Sequence, residues 1–581
     1  MKIQNKIPTV AIIGCGPRGL SALESLFKEA ASQNKKVKAI VFEKSEFPGA
    51  GPVYHPNQPD SNWLNVSERA VDIPCREEIS FENFTILPFP DYQEWCGYHD
   101  GDDGKFTVDR FPLRSHLGKY LNERFESIAN ILLKKGLMKY INKEVIKVDV
   151  ENEVIQIDII GGERFTAQEA VVSVGHQPIE LDEQLAEWQN RVTNLDNIVL
   201  YTQPYPISKI LESQILNSHT IVAVRGFGLA MIDVVRGLTE GFGGKFEIID
   251  EKTREMVYTE SGKEPKTIIP FSLDGLPMAP KPLNEKIDEK YLPSKKELKE
   301  YNEQIKSSIH SKTDLSSPRF LMEAIAPIIV IKFKLLRDET LSQSFSDDEL
   351  HEIIISWLSD GEFEHELILS KKLPEVKMME KFVNMATGHV EPSLDFCIGH
   401  VWRHCQPSMY KLLSFAPLPD KLISEIVDLD ERLKRYSYGP PVDSIQQILS
   451  LVKVGKVSLK LVNDPDINLE EDGWHMAKDD ISNIANVMIN SVLPPPEILK
   501  VASPLPKNLI KDSSVEPLHD ELGIRTDKDG TVAKKNSKTK TQLAVLGRLA
   551  KGTLIGVDAI AECFGNQSAY WAKGVLLRLK N

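Results

Sequence analysis

The sequence predicts an α/β protein built on two doubly wound parallel sheets with a large helical insertion, and three observations carry that expectation. Two apolar runs each feed a glycine-rich strand-to-helix turn, Gly14-Cys15-Gly16-Pro17-Arg18-Gly19 and Gly226-Phe227-Gly228. Between about residues 285 and 500 the composition shifts to charged and apolar stretches of helical period, with no further turn of this kind. At 581 residues the chain is also too long for a single hydrophobic core.

The first unit is complete in sequence. Val10 to Ile13 suits a short buried strand, and the glycines that follow have the G-x-G-x-x-G spacing. The first glycine permits the tight turn, the second lets main chain approach a pyrophosphate, and the third lets the helix pack on the strand. Leu20, Leu23, Leu26 and Phe27 repeat at helical spacing, and Ala39 to Phe42 form a second strand ending at Glu43. A carboxylate at that point can accept hydrogen bonds from ribose hydroxyls. Strand, helix, strand and acid in register point to a Rossmann-like dinucleotide site.

Beyond Glu43, Phe47-Pro48-Gly49-Ala50-Gly51-Pro52-Val53-Tyr54 reads as a ligand-side loop, and Asn62-Trp63-Leu64-Asn65-Val66 follows it. Arg110-Phe111-Pro112-Leu113-Arg114 opens a helix through Tyr120 and Phe125. Residues 139–160 alternate as strands do, with Gly161-Gly162 as the hairpin turn. Ala170 to Val174 is another buried strand, ending at Gly175-His176, where main chain can approach a cofactor. In the second unit the strand is Ile221 to Val224 and the helix carries Ile232, Val235 and Leu238, but the third glycine position is Met231. Pro494-Pro495-Pro496 marks a break after the helical stretch. The closing segment has a turn at Asp529-Gly530, then a strand from Leu543 to Leu546 that ends at Gly547 and leads into a helix.

Composition narrows the function. A net charge of −14 disfavours nucleic acid as a partner, because phosphate affinity comes from clustered lysine and arginine. The basic stretch Lys534 to Lys540 reads as a solvated loop. Six scattered cysteines without a C-x-x-C pair fit a reducing cytoplasm, and no signal peptide or membrane span is expected. Cys397, His400 and His404 could share a helical face. Without the glutamate of H-E-x-x-H or a fourth ligand they read as packing residues, and no metal is expected. His176 reads as a hydrogen-bonding residue and Cys15 as inert, while Trp402 and Arg403 fit helix packing as well as substrate contact. No acid–base set stands out, so the catalytic residues are unassigned.

Taken together, Ile13-Gly14-Cys15-Gly16-Pro17-Arg18-Gly19-Leu20, Pro48-Gly49-Ala50-Gly51, Leu64-Asn65, Val174-Gly175-His176, Gly226-Phe227-Gly228-Leu229-Ala230-Met231-Ile232-Asp233, Tyr438-Gly439-Pro440-Pro441 and Leu546-Gly547-Arg548 resemble the bacterial FAD/NAD(P)-binding protein family with a GGGPRG start. That family is similar to flavin-dependent N-hydroxylating monooxygenases, among them the nitrosuccinate-forming aspartate N-monooxygenases. The resemblance implies that Gly14, Gly16 and Gly19 face the FAD pyrophosphate and Glu43 its ribose, with Pro17 and Arg18 among the cofactor-binding residues of the same loop. It implies that Gly49 and Gly51 lie near the flavin with Leu64 and Asn65 behind them, that Gly175 approaches the cofactor, and that Gly547 closes over its flavin end. Gly226 and Gly228 would hold NADPH or NADH. Where relatives carry Ser-Arg-x-Gly after the second unit, this chain has Ser272-Leu273-Asp274-Gly275, which leaves the choice between the two nucleotides open.

The expected division is an FAD-binding domain in two parts, 1–185 and 501–581, an NAD(P)-binding-like domain at 186–284, and a helical insertion for substrate at 285–500. The expected function is an FAD-dependent oxidoreductase, foremost an NAD(P)H- and oxygen-using N-monooxygenase of a small amino acid or amine. An NAD(P)H-dependent flavin reductase or dehydrogenase, and a non-catalytic nucleotide-binding protein, stay open beside it.

Overall fold

The computed structural model describes residues 7–579 apart from 99–106, 152–153, 312–314, 338–343, 494, 496 and 534–540. The basic stretch Lys534–Lys540 and two of the three prolines at 494–496 therefore lie outside the described residues.

Strand β1 (Thr9–Ile13) runs into helix α1 (Pro17–Ser32), and the chain returns as β2 (Lys38–Phe42). Val10, Ala11 and Ile12 are fully buried, as a strand covered on both faces requires. Leu20, Leu23, Leu26 and Phe27 form the buried stripe of α1. Helix α2 (Arg114–Lys134) leads to β3 (Met138–Ile141). A three-stranded antiparallel sheet, Val145–Glu151, Val154–Ile159 and Arg164–Ala167, then delivers the chain to β4 (Glu169–Val172). Gly161 and Gly162, both at positive φ, make the turn between its last two strands.

The second unit contains β5 (Val199–Tyr201), β6 (Ile221–Arg225), α3 (Leu229–Thr239) and β7 (Thr267–Phe271). After a one-turn helix, Glu285–Asp288, seven longer helices follow among the described residues: α4 (Lys295–His310), α5 (Arg319–Leu336), α6 (Asp347–Ser359), α7 (Glu375–Ala386), α8 (Leu394–Leu413), α9 (Asp420–Ser437) and α10 (Val442–Lys453). The chain then re-enters the second sheet as β8 (Val487–Asn490) and the first as β9 (Leu543–Val545), and helix α11 (Gln567–Arg578) packs on α1. The first sheet has the order β9-β4-β1-β2-β3 and the second β5-β8-β6-β7, all neighbours parallel.

The helical stretch expected over 285–500 needs correction. Helices end at Lys453, and Asp466–Glu470, Gly473–Lys478 and Ile481–Ala485 form an antiparallel sheet before β8. Val487, Met488 and Ile489 are fully buried because β8 lies between β5 and β6. A run this short has no readable period, which is why a helical setting absorbed it. The helix expected right after Gly547 also begins later. A single 3-10 turn, Arg548–Ala550, comes first, and helical turns resume at Ile560. The Asp529-Gly530 turn forms, with Gly530 at positive φ and its N–H bonded to the Asp527 carbonyl at 2.8 Å. Among the described residues no helix is long and apolar enough to cross a membrane.

A buried ionic triad locks α1 to α2. Arg124 meets both carboxylate oxygens of Glu24 at 2.9 and 2.8 Å, and Arg76 reaches Glu24 at 3.2 Å. All three residues are buried, so the one carboxylate compensates two guanidinium groups. Glu24→Gln should therefore destabilise the amino-terminal unit by about 3–5 kcal/mol, because it leaves buried cations unpaired. Thermal or denaturant unfolding checks this, with a larger loss expected than for Glu24→Gln paired with Arg76→Met.

Candidate functional site

The first glycine turn is shaped by main chain packed on main chain. Gly14 stands at φ +83°, and a β-carbon there would lie 2.9 Å from the Ser173 carbonyl oxygen. One at Gly19 would lie 2.2 Å from the Gly14 carbonyl oxygen, so α1 could not sit so close to β1. The loop at 47–54 is pressed down in the same manner. Gly49 donates to the Cys15 carbonyl at 2.6 Å, and a β-carbon on Gly51 would be 3.3 Å from Gly16 Cα. Across α2, a β-carbon on Gly118 would come within 1.7 Å of the Tyr54 carbonyl oxygen.

Helix α1 starts with Gly16 as N-cap and Pro17 as its first residue, and no side chain caps it. Its amino end is therefore free to receive an anion through amides and dipole. A β-carbon on Gly16 would meet nothing nearer than Gly51 Cα at 3.7 Å, which leaves an open face before the helix. These features fit a pyrophosphate. Glu43 is buried, with Oε2 accepting from Cys15 N at 2.6 Å and Oε1 from Ser45 N at 2.8 Å. Its carboxylate is thus turned into the glycine loop, and each oxygen keeps a lone pair for a ribose hydroxyl. Burial, reinforced by Glu43, pushes the Cys15 thiol well up, so Cys15 carries no thiolate.

Arg18, expected among the cofactor-binding residues, turns toward the carboxy-terminal segments. Its guanidinium is buried, donates to Gln567 Oε1 at 3.4 Å, and has its Nε 2.5 Å from the position of a β-carbon on Gly547. Gly547, at φ +80°, is required where Arg18 crosses it. Gly175 is exposed at φ +66° with nothing within 4 Å of its missing side chain, so the end of β4 is open.

The second turn repeats the hydrogen-bond frame of the first. Gly14 N donates to Phe42 O at 2.8 Å, and Gly226 N to Phe271 O at 2.7 Å. Ser173 N donates to Ile13 O at 2.8 Å, and Ser491 N to Arg225 O at 2.7 Å. Gly226 stands at φ +114°, where a β-carbon would strike Ser491 Oγ at 2.6 Å, while Gly228 has only Met278 Sδ above it, at 3.9 Å.

A small pocket between the two units is lined by Trp63, Leu64, Asn65, Arg114, Asp233, Arg236 and Pro440. Arg236 donates to Ser61 O at 2.8 Å and Ser444 Oγ at 2.7 Å and lies 4.2 Å from the Trp63 ring centre. Tyr205 donates to Asp233 Oδ2 at 2.7 Å, and Arg114 approaches the same oxygen at 3.4 Å. Asn65 donates to Tyr438 O at 3.1 Å, and its own carbonyl accepts from Lys281 Nζ. Near Lys281, Asp288 gathers Arg403, His404 at 3.1 Å and Arg69 at 3.1 Å, and Arg69 also forks onto Asp109. Burial alone would raise the Asp288 carboxyl, but Arg403 and His404 hold it far below the carboxylate range. Burial, with Arg403 next, pulls the Lys281 ammonium down to about 7.

Sequence reasoning left Lys281, Asp288, Arg69, Asp109 and Asp233 unassigned, because isolated charges acquire meaning only when distant segments bring them together. Arg403, weighed as a substrate contact, joins this cluster. Cys397 is fully buried in the helical core, while His400 lies against Phe396 and Tyr291 and comes within 3.5 Å of Arg403 at the edge of the cluster.

Residues 11–177 match a family model described as FAD-NAD(P)-binding, and this amino-terminal stretch is an FAD-NAD(P)-binding domain. The chain is similar to a nitrosuccinic acid synthase from Aspergillus oryzae, 28% identical over 264 residues that cover 44% of this chain and 39% of that protein. It is also similar to an L-aspartate N-monooxygenase (nitrosuccinate-forming) from Streptomyces davaonensis, 25% identical over 306 residues, covering 48% of this chain and 45% of that protein. The match thus spans less than half the length of either curated relative. Among solved structures, the reduced form of an ornithine hydroxylase from Pseudomonas aeruginosa aligns over 99% of this chain and 100% of its own, at 10% identity and a TM-score of 0.44.

Two outcomes are expected. Gly16→Ala should leave the fold intact but weaken FAD binding by about tenfold, because the methyl enters the space before the helix. Gly19→Ala should lower the unfolding temperature as well, since its β-carbon meets main chain. FAD titration and thermal unfolding of both variants separate the two effects.

For Lys281 the folded pKa lies below the ordinary lysine value of 10.5, so between about pH 7 and 10.5 the unfolded chain binds the extra proton. This group's contribution to stability therefore rises with pH across that window. The unfolding temperature of wild type should gain on that of Lys281→Met between pH 7 and pH 10.

Proposed function

We propose that the chain is an FAD-dependent oxidoreductase that takes reducing equivalents from NADH or NADPH and uses molecular oxygen to oxidise the amine of a small amino acid, aspartate first among the candidates. The observation that carries this reading is the pair of glycine-turn frames built on the same hydrogen bonds. The similarity to the fungal nitrosuccinic acid synthase and the streptomycete L-aspartate N-monooxygenase supports the N-oxidation, and the latter supplies the aspartate. Bound FAD would supply acceptance of hydride from the nicotinamide and activation of oxygen.

The protein's share of the work is binding, orientation and exclusion of water. The amino end of α1 and the Gly16–Gly51 contact would hold the FAD pyrophosphate, with Glu43 toward its ribose, and the turn at Gly226 and Gly228 would hold the nicotinamide nucleotide. Trp63, Leu64, Pro440 and Pro441 present apolar surface in the small pocket between the units, where they would help to exclude water. Lys281, held at Asn65, would offer a cation to a substrate carboxylate, and would do so best below about pH 7, where it is charged. The amine must be unprotonated to react, so its proton has to leave before the oxidation.

We assign residues 1–185 and 501–581 to the FAD unit. Residues 186–284 with 466–490 form the nicotinamide unit, and the helices after residue 284 form an insertion that shapes the substrate end. The cellular setting we infer is the cytoplasm, which the six free cysteines suit.

Purified protein should carry or take up FAD, and anaerobic NADH or NADPH should bleach it. On admitting oxygen with L-aspartate, a hydroxylamine, oxime or nitro product should form in proportion to nucleotide consumed. Release of one hydrogen peroxide per NAD(P)H for every amine tried would instead make the protein a reductase. Bleaching by dithionite but by neither nucleotide would reduce it to a binding protein.

A further inference from the structure

We propose that Asp274 and Arg435 together read the 2′ position of the adenosine ribose, Arg435 as the group that meets a 2′-phosphate and Asp274 as the group that restrains it. This rests on the reading of the second glycine turn as the nicotinamide-nucleotide site.

The argument starts from the repeated frame. Gly226 N bonds to Phe271 O as Gly14 N bonds to Phe42 O, so Phe271 occupies the place of Phe42 at the end of the strand beside the glycine strand. In the first unit that place is followed by Glu43. In the second it is followed by Ser272-Leu273-Asp274. This strand end is where dinucleotide folds set an acid against the ribose 2′-hydroxyl or an arginine against a 2′-phosphate.

Here the fold sets one of each. Asp274 is half exposed; its Oδ1 accepts from Leu276 N at 3.1 Å and Ser272 Oγ at 3.3 Å, and its Oδ2 accepts from Arg435. Arg435 comes from the last turn of α9, a segment remote in sequence, and is fixed to the same loop through its main chain, whose carbonyl accepts from Ala279 N at 3.0 Å. The loop that carries both contacts also carries Met278, which faces Gly228. Leu273 beside them is 86% exposed and offers an apolar face.

The chemistry follows from the pairing. Partial burial would raise the Asp274 carboxyl, but Arg435 and the Leu276 N–H hold it ionised. An ionised Asp274 accepts from a ribose 2′-hydroxyl and repels a 2′-phosphate. It also occupies the guanidinium that such a phosphate would need. The two residues therefore pull nucleotide choice in opposite directions, a property that neither residue type would give alone.

The test measures equilibrium binding of NAD+ and NADP+ to the FAD-loaded protein by calorimetry, with 5′-AMP and adenosine 2′,5′-bisphosphate as fragment probes. Asp274→Asn should raise the NADP+/NAD+ affinity ratio by about tenfold, and Arg435→Gln should lower it by a similar factor, as expected for loss of one charge-assisted hydrogen bond. Arg435→Lys should restore part of the ratio, and FAD content should stay unchanged throughout. Should a neutral variant fail to fold, Asp274→Ser and Arg435→Lys serve as the pair. A ratio that moves less than twofold in folded variants of both residues would overturn the proposal while leaving the nucleotide site standing. Wild-type protein that binds neither nucleotide, and whose flavin neither reduces, would overturn the site and the proposal together.

Discussion

Main chain touching main chain, with no β-carbon between, is the constraint on which the rest of this structure depends. At the first glycine turn three segments converge: the turn itself, the strand end at Ser173 and the loop at Gly49 to Gly51. At Gly14 and Gly19 the contact is closer than a β-carbon would allow, and at Gly51 it is tight. The result is a concave wall of amides and carbonyls whose position is set by covalent geometry and hydrogen bonds, independent of rotamers. Such a wall can meet a charged ligand without reorganising.

The second turn obeys the same constraint with fewer devices. Gly226 is held against Ser491 as Gly14 is held against Ser173, but no equivalent of the 47–54 loop presses upon Gly228, which has only Met278 above it. The more open turn suits a ligand that must come and go, and the closed one suits a ligand that stays. Between them, Arg236 and Asp233 are buried at a seam where the first unit, the second unit and α10 all supply partners. A buried charge with partners on three segments makes the seam specific, because any relative shift would strand it.

Much of this was legible in the sequence, for a physical reason. Parallel strands buried on both faces leave apolar runs, and glycine marks every place where a side chain would collide; both signals are local. Val10 to Ile13 with Gly14 and Gly16, and Ile221 to Val224 with Gly226 and Gly228, therefore read true. What was missed is non-local. Val487-Met488-Ile489 followed by Ser491 mirrors Val171-Val172-Ser173, yet it stands beyond a long helical stretch and was absorbed into it. Arg18 was legible as a member of the motif, but its crossing over Gly547 depends on a strand that arrives at the far end of the chain. The cluster around Asp288 draws on Arg69, Asp109 and Arg403, and nothing near any one of them announces the others.

The path of the chain through the second sheet governs how the molecule can be made. Strand β6 has its glycine turn and helix in place early in synthesis, but β8, its neighbour on one side, emerges only after the seven helices. Until then β5 has no partner in the sheet and β6 presents a bare, apolar edge. Pairings this distant in sequence are slow to form and leave strand edges open to other chains meanwhile. A chain ending after Lys453 would keep every residue of the second glycine turn and still lack the strand that completes it. Its nascent form should therefore depend on chaperones to an extent that the native fold, with that edge closed, does not reveal.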